Sequence, residues 1–111
     1  MSISESDYVH RAQPELRALL DALDAVDSDD CEAELESDIL TVEFTDGSKY
    51  VVNSHRAARQ IWMAAERTAW HFDFDETKQT WIAAKTGDEL WATLERVIGD
   101  KLGRQVVLRR R

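Results

Sequence analysis

The sequence has little cysteine, no long apolar run and no large basic cluster, and each absence excludes a class of protein. Its single cysteine, Cys31, cannot form an internal disulfide, which is typical of a reducing compartment. No apolar stretch approaches the roughly 20 residues of a membrane span, and the N-terminus has no apolar signal segment. The pI is near 4.8, and the only basic cluster is the short run 109–111. We therefore expect a cytoplasmic protein that binds neither membranes nor nucleic acid.

The chain does have a long acidic stretch. Between Arg17 and Lys49 there is no basic residue, although half of the 22 acidic residues lie there. The whole chain has a formal net charge of −8, yet the part outside this stretch is net positive. Crowded like charges repel, so the stretch is either a tolerated solvated face or a site for something positive, such as a metal ion or a basic protein patch. Its acids are Asp21, Asp24, Asp27, Asp29, Asp30, Glu32, Glu34, Glu36, Asp38, Glu43 and Asp46.

Two segments have apolar residues at helical spacing. The first lies between about residues 6 and 26, and Pro14 should either kink this helix or mark the start of its regular part. The second opens at Thr86–Glu89, which fits the capping-box pattern, and glycines loosen its end. The apolar segment 106–108 should pack back on the body of the protein.

Between the two helices, apolar and polar residues alternate with the period of a β-strand. Cys31 then lies inward as a small buried residue, while Trp62 and His71 lie outward. Asp46–Gly47 predicts a two-residue hairpin turn, and 54–59 is predicted as a loop. The six predicted strands cover residues 30–36, 40–44, 49–53, 60–65, 69–75 and 80–84.

This order of elements predicts an α+β fold. No long crossover separates the strands, so the sheet should be mainly antiparallel. Both helices need a surface for their apolar stripes, and one face of the sheet supplies it. We expect a two-layer sandwich in which the N- and C-terminal helices pack on one face of about six strands. The 111 residues suffice for one domain, 1–111, with one core.

Several short motifs along this order carry a resemblance to a known family. They are residues 40–44 (LTVEF), Asp46–Lys49 (DGSK) leading to Asn53, Gln60–Trp62 (QIW), His71–Asp73 (HFD), Trp81 and Thr86–Trp91 (TGDELW). Together with the acidic first helix and first strand, they make nearly the whole chain resemble the short bacterial form of the frataxin family. The resemblance implies the frataxin fold and an iron-binding regulator of iron–sulfur cluster assembly. Such a protein binds a cysteine desulfurase and modulates sulfur delivery to the scaffold protein.

The resemblance also assigns site residues. It places weakly bound surface iron, Fe²⁺ or Fe³⁺, on an acidic ridge along the first helix and the first strand, and it places partner contacts on the exposed sheet face. The acidic ridge consists of Asp21, Asp24, Asp27, Asp29, Asp30, Glu32 and Glu34. The partner-binding residues are Asn53, Gln60, Trp62 and His71. His55 stands where some members carry Gln, and neither it nor His10 receives a role.

Without the resemblance, the residues do not decide between metal binding, partner binding and no binding at these sites. Carboxylate oxygens are hard ligands that suit iron, Mg, Ca and Mn, but no Cys cluster, HExxH motif or EF-hand loop encloses an ion. Any metal site is therefore open and weak, and the alternative is a solvated face without a ligand. Trp62 can anchor a partner or merely pack at the surface. His71 can contact a metal, a partner or nothing.

Three functions from different classes stay open. The first is the frataxin-like regulator, and the second is a ferroxidase that mineralises iron in an oligomer. The third is an acidic interaction module without a metal role. No catalytic constellation is visible, so we predict a protein that is not an enzyme, with weak iron oxidation as the exception. We expect a monomer, with iron-driven oligomerisation as the alternative.

Overall fold

A computed structural model describes residues 3–26 and 29–110. Within these ranges, helix α1 (Glu5–Leu23) comes first and helix α2 (Leu90–Leu102) comes last. The strands between them are β1 (Cys31–Glu36), β2 (Ile39–Phe44), β3 (Lys49–His55), β4 (Gln60–Ala65), β5 (Thr68–Asp75) and β6 (Thr80–Ala83), and a short 3-10 helix (Arg56–Ala58) follows β3.

The six strands form one antiparallel meander. Each strand pairs with the next along the chain, so β1 and β6 lie at the edges of the sheet. The buried residues of both helices and the inward residues of the strands form one core. The opposite side of the sheet, called the outer face below, is left for solvent. The predicted α+β sandwich is confirmed.

Aromatic rings fill the centre of the core. Trp81 on β6 is completely buried. Tyr8 from α1 and Phe74 from β5 meet it edge-on, at ring-centroid distances of 5.9 and 5.3 Å, which is a preferred aromatic geometry.

Neither helix of the described chain has the length and apolar composition of a membrane span.

Helix α1 differs from its predicted extent. It begins at Glu5, where the Ser4 side chain accepts a hydrogen bond from the Asp7 N–H at 3.1 Å, an N-cap. It continues through Pro14, which therefore does not mark its start. It ends at Leu23 rather than near residue 26, because the chain tightens into a turn in which the Val26 N–H donates to the Leu23 carbonyl at 2.9 Å.

Helix α2 is capped by a different residue from the one predicted. The Glu89 side chain accepts from the N–H groups of Trp91 at 3.0 Å and Ala92 at 2.9 Å. Thr86 lies in the preceding turn, where its hydroxyl donates to Asp88 at 2.8 Å. The predicted capping box is wrong, because that turn separates Thr86 from the start of the helix.

The segment after α2 folds back on the body, as predicted. Gly103 ends the helix in the left-handed conformation, with φ of +71°, which glycine adopts without strain. Val106 and Leu108 are then buried, while Val107 between them is 51% exposed. The Leu108 N–H donates to Glu95 at 2.7 Å. The tail thus closes the core beside α2.

The hairpin between β2 and β3 is present but longer than predicted. The Phe44 carbonyl accepts from the Gly47 N–H at 2.9 Å, and the Phe44 N–H donates to the Ser48 carbonyl at 2.9 Å. Gly47 has a φ of +86°. The connection therefore covers residues 45–48, as a turn followed by a left-handed residue, and the two-residue turn is wrong.

Part of the predicted loop at 54–59 is strand. β3 continues to His55, which pairs with Gln60 of β4. The His55 Nδ1 also accepts a hydrogen bond from the Ala58 N–H at 3.3 Å and so caps the 3-10 helix. This extension places the His55 ring on the outer face beside Trp62.

Candidate functional site

The acidic ridge lies along the β1 edge of the molecule. Asp21 and Asp24 are exposed at the end of α1, and Glu32 and Glu34 are exposed on the outer face of β1. Asp27 lies outside the described residues. Since β1 pairs with a strand on one side only within the described sheet, its carboxylates border an accessible strand edge.

Negative charge on the outer face of β1 is only partly balanced. The register places Glu32 directly opposite Glu43 of β2, and like charges in that position destabilise a sheet. Glu43 has Lys49 on its other side. Glu34 lies opposite the neutral Thr41. A cation or a basic side chain that approached Glu32 would relieve this repulsion.

Two acids of the stretch are paired by cations from the end of the chain. Arg104 forms an ion pair with Asp30, and the Lys101 Nζ lies 2.7 Å from the Asp46 Oδ2. Asp29, next to Asp30, is exposed. Any cation that binds at Asp30 must therefore compete with Arg104, which the sequence analysis did not foresee.

The donor set suits an open metal site and not an enclosed one. Among residues 3–26 and 29–110, no three or more His, Cys, Asp or Glu side chains form a group that could hold a metal ion. Glu32 and Glu34 are neighbours on one face of a strand, at a spacing of roughly 7 Å. Exposed carboxylates of this kind fit a hard cation such as iron, which would remain largely hydrated.

Cys31 is buried on the inward side of β1, as predicted. Burial raises the pKa of the Cys31 thiol, the nearby Asp30 carboxylate raises it further, and Arg104 opposes them. Because the thiolate is the nucleophile and the metal ligand, this thiol is poorly suited to either role.

The outer face brings the four predicted partner-binding residues together. Asn53, Trp62 and His71 lie side by side across β3, β4 and β5. Gln60 is in the next row, and its side-chain oxygen accepts from the Trp62 Nε1 at 2.7 Å. Ile39 extends the row opposite Asn53 and is 50% exposed. Ile39 is not among the predicted partner-binding residues, although the same alternation places it outward.

Trp62 is held between two imidazole rings. The His55 ring lies 3.8 Å from the Trp62 ring, between centroids, with 13° between the planes, and the His71 ring lies at 4.2 Å and 15°. The two histidines come from the strands on either side of β4, so they cover both faces of the indole. Gln60 also donates to Asp73 at 3.1 Å. We call His55, Trp62 and His71 the three-ring stack.

The ion pair at Asp46 predicts acid-sensitive stability. Hydrogen bonds from Lys101, which has the larger effect, and from Ser48 hold the pKa of the Asp46 carboxyl well below its usual range. Such a carboxyl stabilises the folded protein above its ordinary pKa of about 4, and this contribution is lost as the pH falls toward the lower folded value. Asp46→Asn should therefore lower the free energy of unfolding at neutral pH, and the difference from wild type should shrink below about pH 4.

Urea unfolding of both proteins from neutral pH down to about pH 3 checks this prediction. Asp100→Asn, at an exposed position of α2, is the control for the loss of one negative charge. A difference between Asp46→Asn and wild type that stayed constant across the range would contradict the prediction.

Two helices on one face of a six-stranded antiparallel sheet, with an acidic edge and an aromatic outer face, define a frataxin-type protein. The chain belongs to the frataxin-like family: the family model described as a frataxin-like domain matches residues 1–104. The predicted family is confirmed.

Two curated relatives of this chain are bacterial proteins with the same name. The iron-sulfur cluster assembly protein CyaY of Pseudomonas entomophila is 32% identical over 106 residues, with 96% of each chain covered. The protein of that name from Thioalkalivibrio sulfidiphilus is 34% identical over 107 residues, which cover 96% of this chain and 100% of the relative. The solved structure of frataxin from Psychromonas ingrahamii covers 95% of this chain and 97% of its own, with a TM-score of 0.83 at 21% identity. That likeness shows the fold.

Proposed function

We propose that this protein is an iron-binding regulator of iron–sulfur cluster assembly, which binds a cysteine desulfurase through the acidic ridge and modulates sulfur transfer to the scaffold protein. The general role in iron–sulfur cluster assembly rests on the family and on the names of the relatives. The observation that carries the finer proposal is the pair of exposed carboxylates, Glu32 and Glu34, on the edge strand β1. The bacterial relatives support action in the cytoplasm.

The acidic ridge is the surface that contacts the desulfurase, because its negative charge complements a basic patch on that partner. A basic patch that docks on β1 would relieve the repulsion between Glu32 and Glu43, which face each other across the β1–β2 pair. Exposed charges of this kind raise association rates and set specificity. They are also screened by salt, so the contact should depend strongly on ionic strength.

Iron would bind the same carboxylates. Their oxygens suit a hard cation, and the open arrangement of Glu32 and Glu34 gives low affinity and leaves coordination positions to water. A bound ion reduces the negative charge that the desulfurase recognises. Iron binding and desulfurase binding are therefore coupled, and this coupling makes the protein responsive to iron.

The outer face is the surface that contacts the scaffold protein, and we call it the scaffold side. It presents Trp62 and the half-exposed Ile39 within one row, and the polar groups of Asn53 and His71 lie in the same row. An apolar centre with polar neighbours is the usual composition of a docking surface. This face and the acidic ridge meet along β1 and β2, so one assembly could contact both.

The test is the affinity of the protein for a bacterial cysteine desulfurase, measured anaerobically at rising salt, with and without Fe(II). We expect the affinity to fall steeply with salt and to change when Fe(II) is added. An affinity independent of salt would contradict docking through the acidic ridge. An affinity identical with Fe(II) and with a chelator would favour an interaction module without a metal role.

We propose a monomeric regulator that is not an enzyme. The ferroxidase alternative, with iron-driven oligomerisation, requires oxygen consumption that continues at catalytic ratios of iron to protein. We expect consumption to stop after the first few equivalents of Fe(II), because Glu32 and Glu34 form only an open pair of ligands. Sustained turnover would contradict this part of the proposal.

A further inference from the structure

The three-ring stack determines which part of Trp62 a partner can reach. His55 and His71 cover the two faces of the indole at 3.8 and 4.2 Å, and the indole N–H is already bonded to Gln60. No face of the indole is left for a partner group to stack on. A protein that docks on the outer face therefore meets the edge of the indole and the edges of the two imidazoles.

His55 is held in the stack by its backbone surroundings. Its Nδ1 accepts the Ala58 N–H at 3.3 Å, so a neutral His55 imidazole carries its proton on Nε2. This bond fixes the orientation of the ring, because it ties Nδ1 to the backbone of the 3-10 helix that follows β3. The fixed ring then restricts the rotation of Trp62 from one side, while His71 restricts it from the other.

We propose that His55 is a positioning residue for partner docking. It holds the Trp62 indole with its edge outward, in the conformation that binds the scaffold protein. The inference rests on the proposed function, since it takes the outer face as the scaffold side. Binding is strengthened when a side chain is ordered before the complex forms, because the loss of rotamer freedom is then avoided. The complementary surface must accept the ring edges and offer a hydrogen-bond acceptor to the His55 Nε2–H.

Two substitutions separate positioning from a purely structural role. His55→Asn keeps a side-chain acceptor for the Ala58 N–H, since Asn is a good cap, but removes the ring. His55→Phe keeps a flat ring against Trp62 but removes the acceptor. We expect His55→Asn to weaken binding to the scaffold–desulfurase complex by about three- to tenfold. His55→Phe should bind within about twofold of wild type, even if it is less stable.

The signal of the Trp62 indole N–H in ¹H–¹⁵N spectra supplies a second readout. It should move in His55→Asn, where one face of the indole is uncovered, and change less in His55→Phe. Wild-type affinity in His55→Asn, or equal losses in both variants, would overturn the proposal. Trp62→Ala is measured beside them: if its affinity is unchanged, the scaffold side itself is wrong, whereas a loss there with none in His55→Asn contradicts only the role of His55.

Discussion

We expect that replacing Glu32 and Glu34 together by lysine abolishes measurable binding to the proposed partner, the cysteine desulfurase. The change turns the exposed carboxylates of β1 into positive charges, which repel the basic patch that the proposed function assigns to the partner. Juxtaposed like charges cost several kcal/mol at an interface, so we expect the affinity to fall by at least about 100-fold. Calorimetric titration at low salt measures this loss.

The double substitution should leave the domain folded. Both side chains are exposed, and neither contributes to the core. Lysine at position 32 would face Glu43, so a like-charge pair across the strands becomes an opposite-charge pair worth about 0.2–1 kcal/mol. Thermal unfolding of the variant should therefore occur at or above the wild-type temperature.

A matched control has the same change in net charge at other positions. Glu76, in the turn between β5 and β6, and Asp100, on α2, are both exposed and belong to elements other than β1. Replacing these two by lysine should reduce the affinity for the desulfurase only slightly, because salt screens the attraction between distant exposed charges. Equal losses in the two double variants would mean that net charge, and not the acidic ridge, determines binding.

Trp62→Ala should weaken docking to the scaffold–desulfurase complex by about 30-fold, which corresponds to about 2 kcal/mol. Tryptophan is enriched among interface residues whose truncation has such effects. Here the ring is also ordered before docking, by the rings of His55 and His71. The binding constant can be measured by surface plasmon resonance with the assembled complex immobilised.

The loss in Trp62→Ala should exceed any effect on folding. The indole lies on the outer face and not in the core, so the variant should remain folded at the assay temperature. Val107→Ala removes apolar surface from another exposed position, in the tail, and should bind as wild type does. Unchanged binding by Trp62→Ala would remove the outer face from the proposed function.

Much of the fold could be predicted because burial repeats with a local period. Alternation along β1 placed Cys31 inward and its glutamates outward, and the same rule placed Trp62 and His71 on one outer face. Both apolar helix stripes then required one face of the sheet. Each of these steps uses residues that are close together in the sequence.

Features that depend on distant partners could not be predicted in this way. Arg104 pairs with Asp30 from 74 positions away, so the acidic stretch looked less balanced than it is. The loop predicted at His55 is wrong, because β3 continues through the pairing of His55 with Gln60. Thr86 matched the capping box locally, but a preceding turn leaves the cap of α2 to Glu89.

The proposed regulation is tested most directly by the rate of sulfide production by a bacterial cysteine desulfurase with its scaffold protein, under anaerobic conditions. The rate is compared with and without this protein, and each case is measured with and without Fe(II). We expect the protein to change the rate and Fe(II) to alter the size of that change. An identical rate in all four mixtures, together with no detectable complex, would contradict it.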